Sequence, residues 1–230
     1  MLLLVIDTSG KNGSVSLADA ENGSGREEVR VIDSVPLSGG TFSAQLIPQI
    51  ADLLAKNKFQ KSDLSAFVVV SGPGSFTGLR VGLAAIKALA EILQKPIVAV
   101  SMLELFVLAA GTSGRVGAVI DAGRGEVYLG TYEISEKNAR LIEERVVSKA
   151  NLSEAARRLA LVTADAKLAE SGRESGFSAV QIESAKPEMI AALGWKKLQA
   201  GEEISPELLD ADYIRRSDEI FAKPVSGSKT

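Results

Sequence analysis

No histidine and no cysteine occur among the 230 residues of this chain. Without histidine there is no imidazole base, no Ser-His dyad and no His-ligated metal, so any catalysis would rest on Asp, Glu, Lys, Ser or Thr. Without cysteine there are no disulfides and no thiolate chemistry, which fits a reducing cytoplasm. Aromatic residues make up only 5% of the chain, and no stripe of Lys and Arg alternates with them to stack bases. An excess of either charge is also lacking: 26 basic residues stand against 29 acidic ones, for a net charge of -3. Such a balance argues against gripping a phosphate backbone alone. No apolar run reaches the length that spans a bilayer, which points away from a membrane. The opening Met1-Leu2-Leu3-Leu4-Val5-Ile6-Asp7 lacks a basic segment and meets an acid early, so it reads as a strand. The 46% hydrophobic content is enough for one large domain or two modest ones.

The most informative stretch is Ser71-Gly72-Pro73-Gly74-Ser75-Phe76-Thr77-Gly78-Leu79-Arg80. Ahead of it, Ala66 to Val70 is a β-branched run that reads as an interior parallel strand. Behind it, Thr77 to Gln94 reads as a helix. The glycines and proline of the turn either cradle an anion at the helix N-terminus or make a sharp corner. On the helix, Leu79, Leu83, Ile86, Ala90 and Leu93 lie on one face as a core-facing stripe should, and Val81, Ala84, Ala88 and Ile92 form a second stripe. A solvated helix needs only one. This helix is therefore buried on two sides or offers a spare face to a partner.

A duplication is visible. Val5-Ile6-Asp7-Thr8-Ser9-Gly10 leads into the alternating Gly13 to Ala18, and Val119-Ile120-Asp121-Ala122-Gly123-Arg124 leads into Gly125 to Gly130. The spacing predicts a third strand for each meander, at 29–37 and 141–149. It then predicts a helix over 43–58, with Pro48 tolerable only near the first turn, and one over 152–159. Alternating strands and helices follow: 97–100 and 102–110 in the first half, then 161–163, 166–171, 179–182 and 187–200 in the second. Two mixed sheets covered by helices make an α/β protein of the duplicated ribonuclease H-like, or actin-like ATPase, architecture. The expected lobes are 1–110 and 111–230, with the segment after 213 free to pack back on the first.

In such a fold the cleft between lobes takes a nucleotide. Asp7, Thr8, Ser9, Asp121 and Gly123 stand where phosphates and Mg²⁺ would be met. The alternative is that each Asp ends a strand and caps its own turn. The glycine segment is neither a dinucleotide fingerprint nor a Walker A loop, and no Gly-x-Ser-x-Gly elbow is present. No catalytic residue and no metal site is assigned.

Gly72 to Gly82, with Asp7-Thr8-Ser9 upstream, Asp121 to Tyr128 downstream and Tyr213-Ile214-Arg215-Arg216 near the end, resembles the bacterial tRNA threonylcarbamoyladenosine biosynthesis TsaB (YeaZ) family. The resemblance implies a cytoplasmic, non-catalytic subunit that dimerises with its catalytic paralogue TsaD and works with the ATPase TsaE. Together these transfer a threonylcarbamoyl group to the adenosine beside the anticodon, with tRNA met only through the complex. It implies no tightly bound cofactor, with ATP or ADP and Mg²⁺ at the cleft or the subunit junction. It also implies docking through the first two helices, with Leu46, Ile50, Leu79, Val81, Leu83, Ala84 and Ala88 as the interface, and a homodimer through the same surface when the paralogue is missing. One departure is Phe42-Ser43, where many members carry a histidine before the first helix. The competing reading is an autonomous Mg-nucleotide phosphotransferase of the actin-like superfamily.

Overall fold

A computed structural model describes residues 1–22, 27–136, 138–157, 159–174 and 179–210. The Tyr213 to Arg216 motif and the expected return of the chain after 213 lie outside the described residues.

The first half builds β1 (Leu2–Asp7), β2 (Asn12–Asn22), β3 (Glu27–Ser38), α1 (Phe42–Lys56), β4 (Leu64–Gly72), α2 (Phe76–Leu93), β5 (Ile97–Ser101) and α3 (Met102–Ala109). The second builds β6 (Gly114–Gly123), β7 (Glu126–Ser135), β8 (Asn138–Ser148), α4 (Leu152–Ala155), β9 (Ala160–Thr163), α5 (Ala166–Glu174), β10 (Ala179–Gln181) and α6 (Pro187–Gln199). The sheet orders are β3-β2-β1-β4-β5 and β10-β9-β6-β7-β8. Read from opposite ends they coincide: an antiparallel meander, then two parallel strands. The duplicated architecture is therefore present, and β1 and β6 occupy matching places with Asp7 and Asp121 near their C-terminal ends. Strands β1 and β4 are flanked by strands and covered on both faces, which is why they read as unbroken apolar runs.

The molecule is layered. One face of the first sheet, with Leu4, Ile6, Val15, Phe67 and Val69, packs on α1 and α2. Its other face, with Leu3, Val5, Val68 and Val70, packs on α3 and α6. Beyond these helices lies the second sheet, which contributes Val116, Ala118, Tyr132, Ile134 and Val162 to the same core. The outer face of that sheet is covered by a smaller cluster around Leu129, Val147, Leu152 and Leu161. Helix α6 belongs to the second half of the chain but lies against the first sheet. A Cβ built on Gly194 would stand 2.4 Å from Val68 Cγ1.

Three expectations need correction. Pro48 sits beyond the first turn of α1, and the helix continues through it. The carbonyl deprived of its N–H belongs to Ala44, an exposed residue. The helix expected over 152–159 is one turn, Leu152–Ala155, because β9 begins at Ala160 in order to pair with Val116. Third, Leu46, Ile50, Leu79 and Leu83 are at most 5% exposed and belong to the protein's own core. They lie on the stripe that faces the first sheet, so they are not available to a partner.

Candidate functional site

Two surfaces carry the features singled out in the sequence: the cleft between the sheets and the outer face of α1 and α2. In the cleft, Asp7 is buried, and its Oδ1 accepts hydrogen bonds from the Ser9 N–H at 2.8 Å and the Ser9 hydroxyl at 2.6 Å. Asp121 repeats the pattern on the exposed side, with Oδ1 accepting from the Gly123 N–H at 2.8 Å. Both carboxylates thus bond the N–H two residues on, the self-capping turn that Asp favours. The second oxygen of Asp121 receives the Lys149 ammonium at 3.0 Å.

The two acids differ electrostatically. Burial holds the Asp7 carboxyl above its ordinary value of 3.8, outweighing the two Ser9 hydrogen bonds that lower it. At Asp121, slight burial pushes upward, but the Gly123 N–H and the Lys149 ammonium hold the carboxyl below that value. For Asp7 the fold favours the protonated form. Its contribution to stability is complete below the ordinary carboxylate pKa and is lost as pH climbs through the raised one. Asp7→Asn keeps Oδ1 as acceptor for Ser9 and removes the charge. It is expected to raise the melting temperature at neutral pH, with the gain closing as pH falls toward the ordinary carboxylate range. A variant that melts lower than the parent at neutral pH contradicts this.

A cavity of about 540 Å³ is lined by Asp7, Ser9, Lys11, Ser34, Gly74, Met102 and Phe106, among others. A neighbouring one of about 550 Å³ is lined by Ser9, Lys11, Gly74, Ser75, Phe106, Asp121, Gly123 and Asp165, among others. Their shared walls make them compartments of one cleft. Asp7, Ser9, Asp121 and Gly123 therefore line one cleft. Thr8 does not join them: it is fully buried, with its carbonyl and Oγ1 turned to α2.

That contact explains the glycine motif. Cβ atoms built on Gly74, Gly78 and Gly82 would stand 2.3 Å from the Ser9 carbonyl oxygen, 2.1 Å from the Thr8 carbonyl oxygen and 2.3 Å from Thr8 Oγ1. The Ser75 N–H also donates to the Ser9 carbonyl at 2.6 Å. Glycines at steps of four let α2 lie directly on the turn that follows β1. The motif is a packing device, and the Ser75 hydroxyl caps α2 by accepting from the Gly78 N–H.

An actin-like nucleotide site asks for carboxylates free to hold Mg²⁺ through water. Here one carboxylate is buried with its charge disfavoured and the other carries a lysine, so the donors do not fit that role. Among the described residues no group of three Asp or Glu could hold a metal ion. Sequence reasoning missed Lys149 and Lys11. Lys149 is brought to Asp121 by the β7-β8 pairing, in which Glu126 faces Ser148. That register could not be read from residue types alone.

On the outer face, Val81 is half-buried, whereas Ala84 and Ala88 are exposed. Beside them Ile92 is 71% exposed, and Ile47 on the neighbouring α1 is 51% exposed. Ala44, Ala51 and Ala55 are exposed on α1 as well. The result is an apolar, small-residue surface over two adjacent helices, with Arg80, Asp52, Lys56 and Glu91 among the exposed charged residues of the same helices.

The profile of the family described as TsaD, tRNA N6-adenosine threonylcarbamoyltransferase, matches residues 37–208. The chain is 36% identical over 155 residues to the tRNA threonylcarbamoyladenosine biosynthesis protein TsaB of Bacillus subtilis (strain 168), covering 66% of this chain and 62% of that protein. It is 31% identical over 139 residues to TsaB of Escherichia coli (strain K12), covering 59% and 57%. These matches span less than two thirds of the length of those relatives. Among solved structures it is similar to YeaZ from Pseudomonas aeruginosa, with a TM-score of 0.69 and 26% identity over 92% of this chain and 99% of that one.

Proposed function

This chain belongs to the TsaD family and to its TsaB/YeaZ branch, and from that premise we propose that it is a non-catalytic subunit that docks on a TsaD-type paralogue during threonylcarbamoyladenosine formation on tRNA. The observation that carries the reading is the exposed apolar face of α1 and α2, with Ile92 at its end. Water-exposed isoleucine and alanine over two adjacent helices gain free energy when covered, and the small side chains let another helix pair approach closely. The same face serves a second copy of the chain when the paralogue is missing, since a self-complementary patch forms a two-fold dimer.

The chemistry is left to the partner. This sequence contains no histidine, and the cleft carboxylates are committed to Ser9, Gly123 and Lys149. Those commitments argue against the rival phosphotransferase reading, which needs Asp7 and Asp121 for a Mg-nucleotide. ATP or ADP with Mg²⁺ enters at the junction with the paralogue and through TsaE rather than in this cleft. The tRNA is held by the assembly, in keeping with the net negative charge of this subunit.

The test is reconstitution from purified TsaD-type paralogue, TsaE, threonylcarbamoyl adenylate and tRNA, with modified adenosine measured by mass spectrometry. Modification should rise strongly when this chain is added, and the chain alone should produce none. Modification by the chain without the paralogue, or equal modification with and without the chain, would refute the proposal.

A further inference from the structure

Helix α3 separates two cavities. Met102 and Phe106, one turn apart on the helix, line the front cleft that holds Asp7. Ser101 and Glu104 line a second cavity, also about 540 Å³, behind the helix. Glu104 is placed about half a turn round from both Met102 and Phe106, so the two cavities lie on opposite sides of one helix. Around α3 the contact between the two sheets is apolar, with Leu103 pressed on β7 at Gly130. Apolar contact resists separation but does little to fix rotation, because the attraction has no direction.

The rear cavity is where directional bonds cross from one sheet to the other. Lys196 of α6, a helix seated on the first sheet, donates to Asn138 Oδ1 at the start of β8 in the second. The Ser101 hydroxyl, at the end of β5, lies 3.5 Å from the hydroxyl of Tyr132 on β7. Tyr132 in turn donates to Glu144 Oε1 at 2.6 Å, which fixes its ring. Lys197 stands 3.1 Å from both Glu104 and Glu202 and so ties α6 to the rear of α3.

We propose that α3 is a fulcrum between the sheets and that the rear cluster is a latch: the Lys196 to Asn138 and Ser101 to Tyr132 contacts hold the rear cavity at one width and thereby set the opening of the front cleft. Rocking about α3 narrows one cavity as it widens the other, a small shear of packed layers. With the latch closed, the chain presents its partner with one fixed shape.

The chain has no cysteine, so a pair introduced by Ser62→Cys, in the 3-10 turn that leads into β4 of the first sheet, and Glu154→Cys, on α4 over the second, both exposed positions, can carry two spin labels without background. Pulsed electron resonance on this full-length pair should give one narrow separation. Adding Tyr132→Phe and Asn138→Ala together should broaden or displace it. Asn138→Ala alone, at an exposed position, should give a smaller change in the same direction without endangering the fold. A control Lys56→Ala, outside the seam, should leave the separation as it was. An unaltered distribution in both latch variants, with folding verified by circular dichroism, would overturn the proposal.

Discussion

Replacing Ala88 with arginine is expected to leave this protein folded and to abolish the proposed association with a TsaD-type paralogue. Ala88 is exposed, midway along the outer stripe of α2, between Ala84 and Ile92. Arginine is nearly as good a helix former as alanine, and exposed substitutions usually alter stability by within about 0.5 kcal/mol. Once the face is covered, however, the guanidinium is desolvated without a designed partner. Stranding a buried charge costs about 3 kcal/mol or more, which is roughly a hundredfold or greater in the dissociation constant. Size-exclusion chromatography with light scattering reads the result: the parent co-elutes with the paralogue and the variant does not. Ser153→Arg, on α4 at the far side of the molecule, should associate as the parent does. Leu83→Glu is no substitute for this test. Leu83 is 4% exposed in the core under α2, so that variant would lose its fold and its partner together.

Gly78→Ala should be among the most destabilising single-methyl changes the chain can suffer. In an exposed helix the substitution gains about 1 kcal/mol. At Gly78 the added carbon would stand 2.1 Å from the Thr8 carbonyl oxygen, a backbone atom that no rotamer change can move. Overpacking costs about 1–3 kcal/mol and occasionally more, and a backbone collision puts Gly78 at the upper end. The helix cannot slide away cheaply, because Gly74 and Gly82 press on Ser9 and Thr8 above and below the same point. Urea denaturation should show a lower midpoint at unchanged slope. Ala84→Gly, on the exposed stripe, should lose only about 1 kcal/mol from helix propensity. A Gly78→Ala variant as stable as the parent would mean that α2 does not rest on the Asp7 turn.

The fold was legible because its signals are local and repeated. Two Asp-turn-strand units and alternating strands and helices announce the duplicated architecture, and the apolar run of β4 announces an interior strand. The two stripes of α2 were legible as well, the Leu79 stripe as the core-facing one, but the first-two-helices resemblance drew Leu79 and Leu83 into the interface too. Leu79 and Leu83 belong to the core and Ala84 and Ala88 to the surface, and that assignment depends on where the first sheet lies. The cleft was half legible. Asp7 and Asp121 could be placed by their position in the repeat, whereas the burial of one and the pairing of the other with Lys149 depend on strand register. The glycine segment hid its purpose for a related reason. A turn that cradles an anion and one that accepts a backbone call for the same residues, and only the position of Thr8 and Ser9 beneath it separates them.

The docking face is tested most directly by amide hydrogen exchange of the full chain, alone and mixed with the TsaD-type paralogue. Slowed exchange should fall on 42–56 and 76–93, the helices α1 and α2, and leave β6 to β8 as they were. Unchanged exchange in both helices, or slowing confined to the second sheet, would contradict the docking surface on which the functional reading depends.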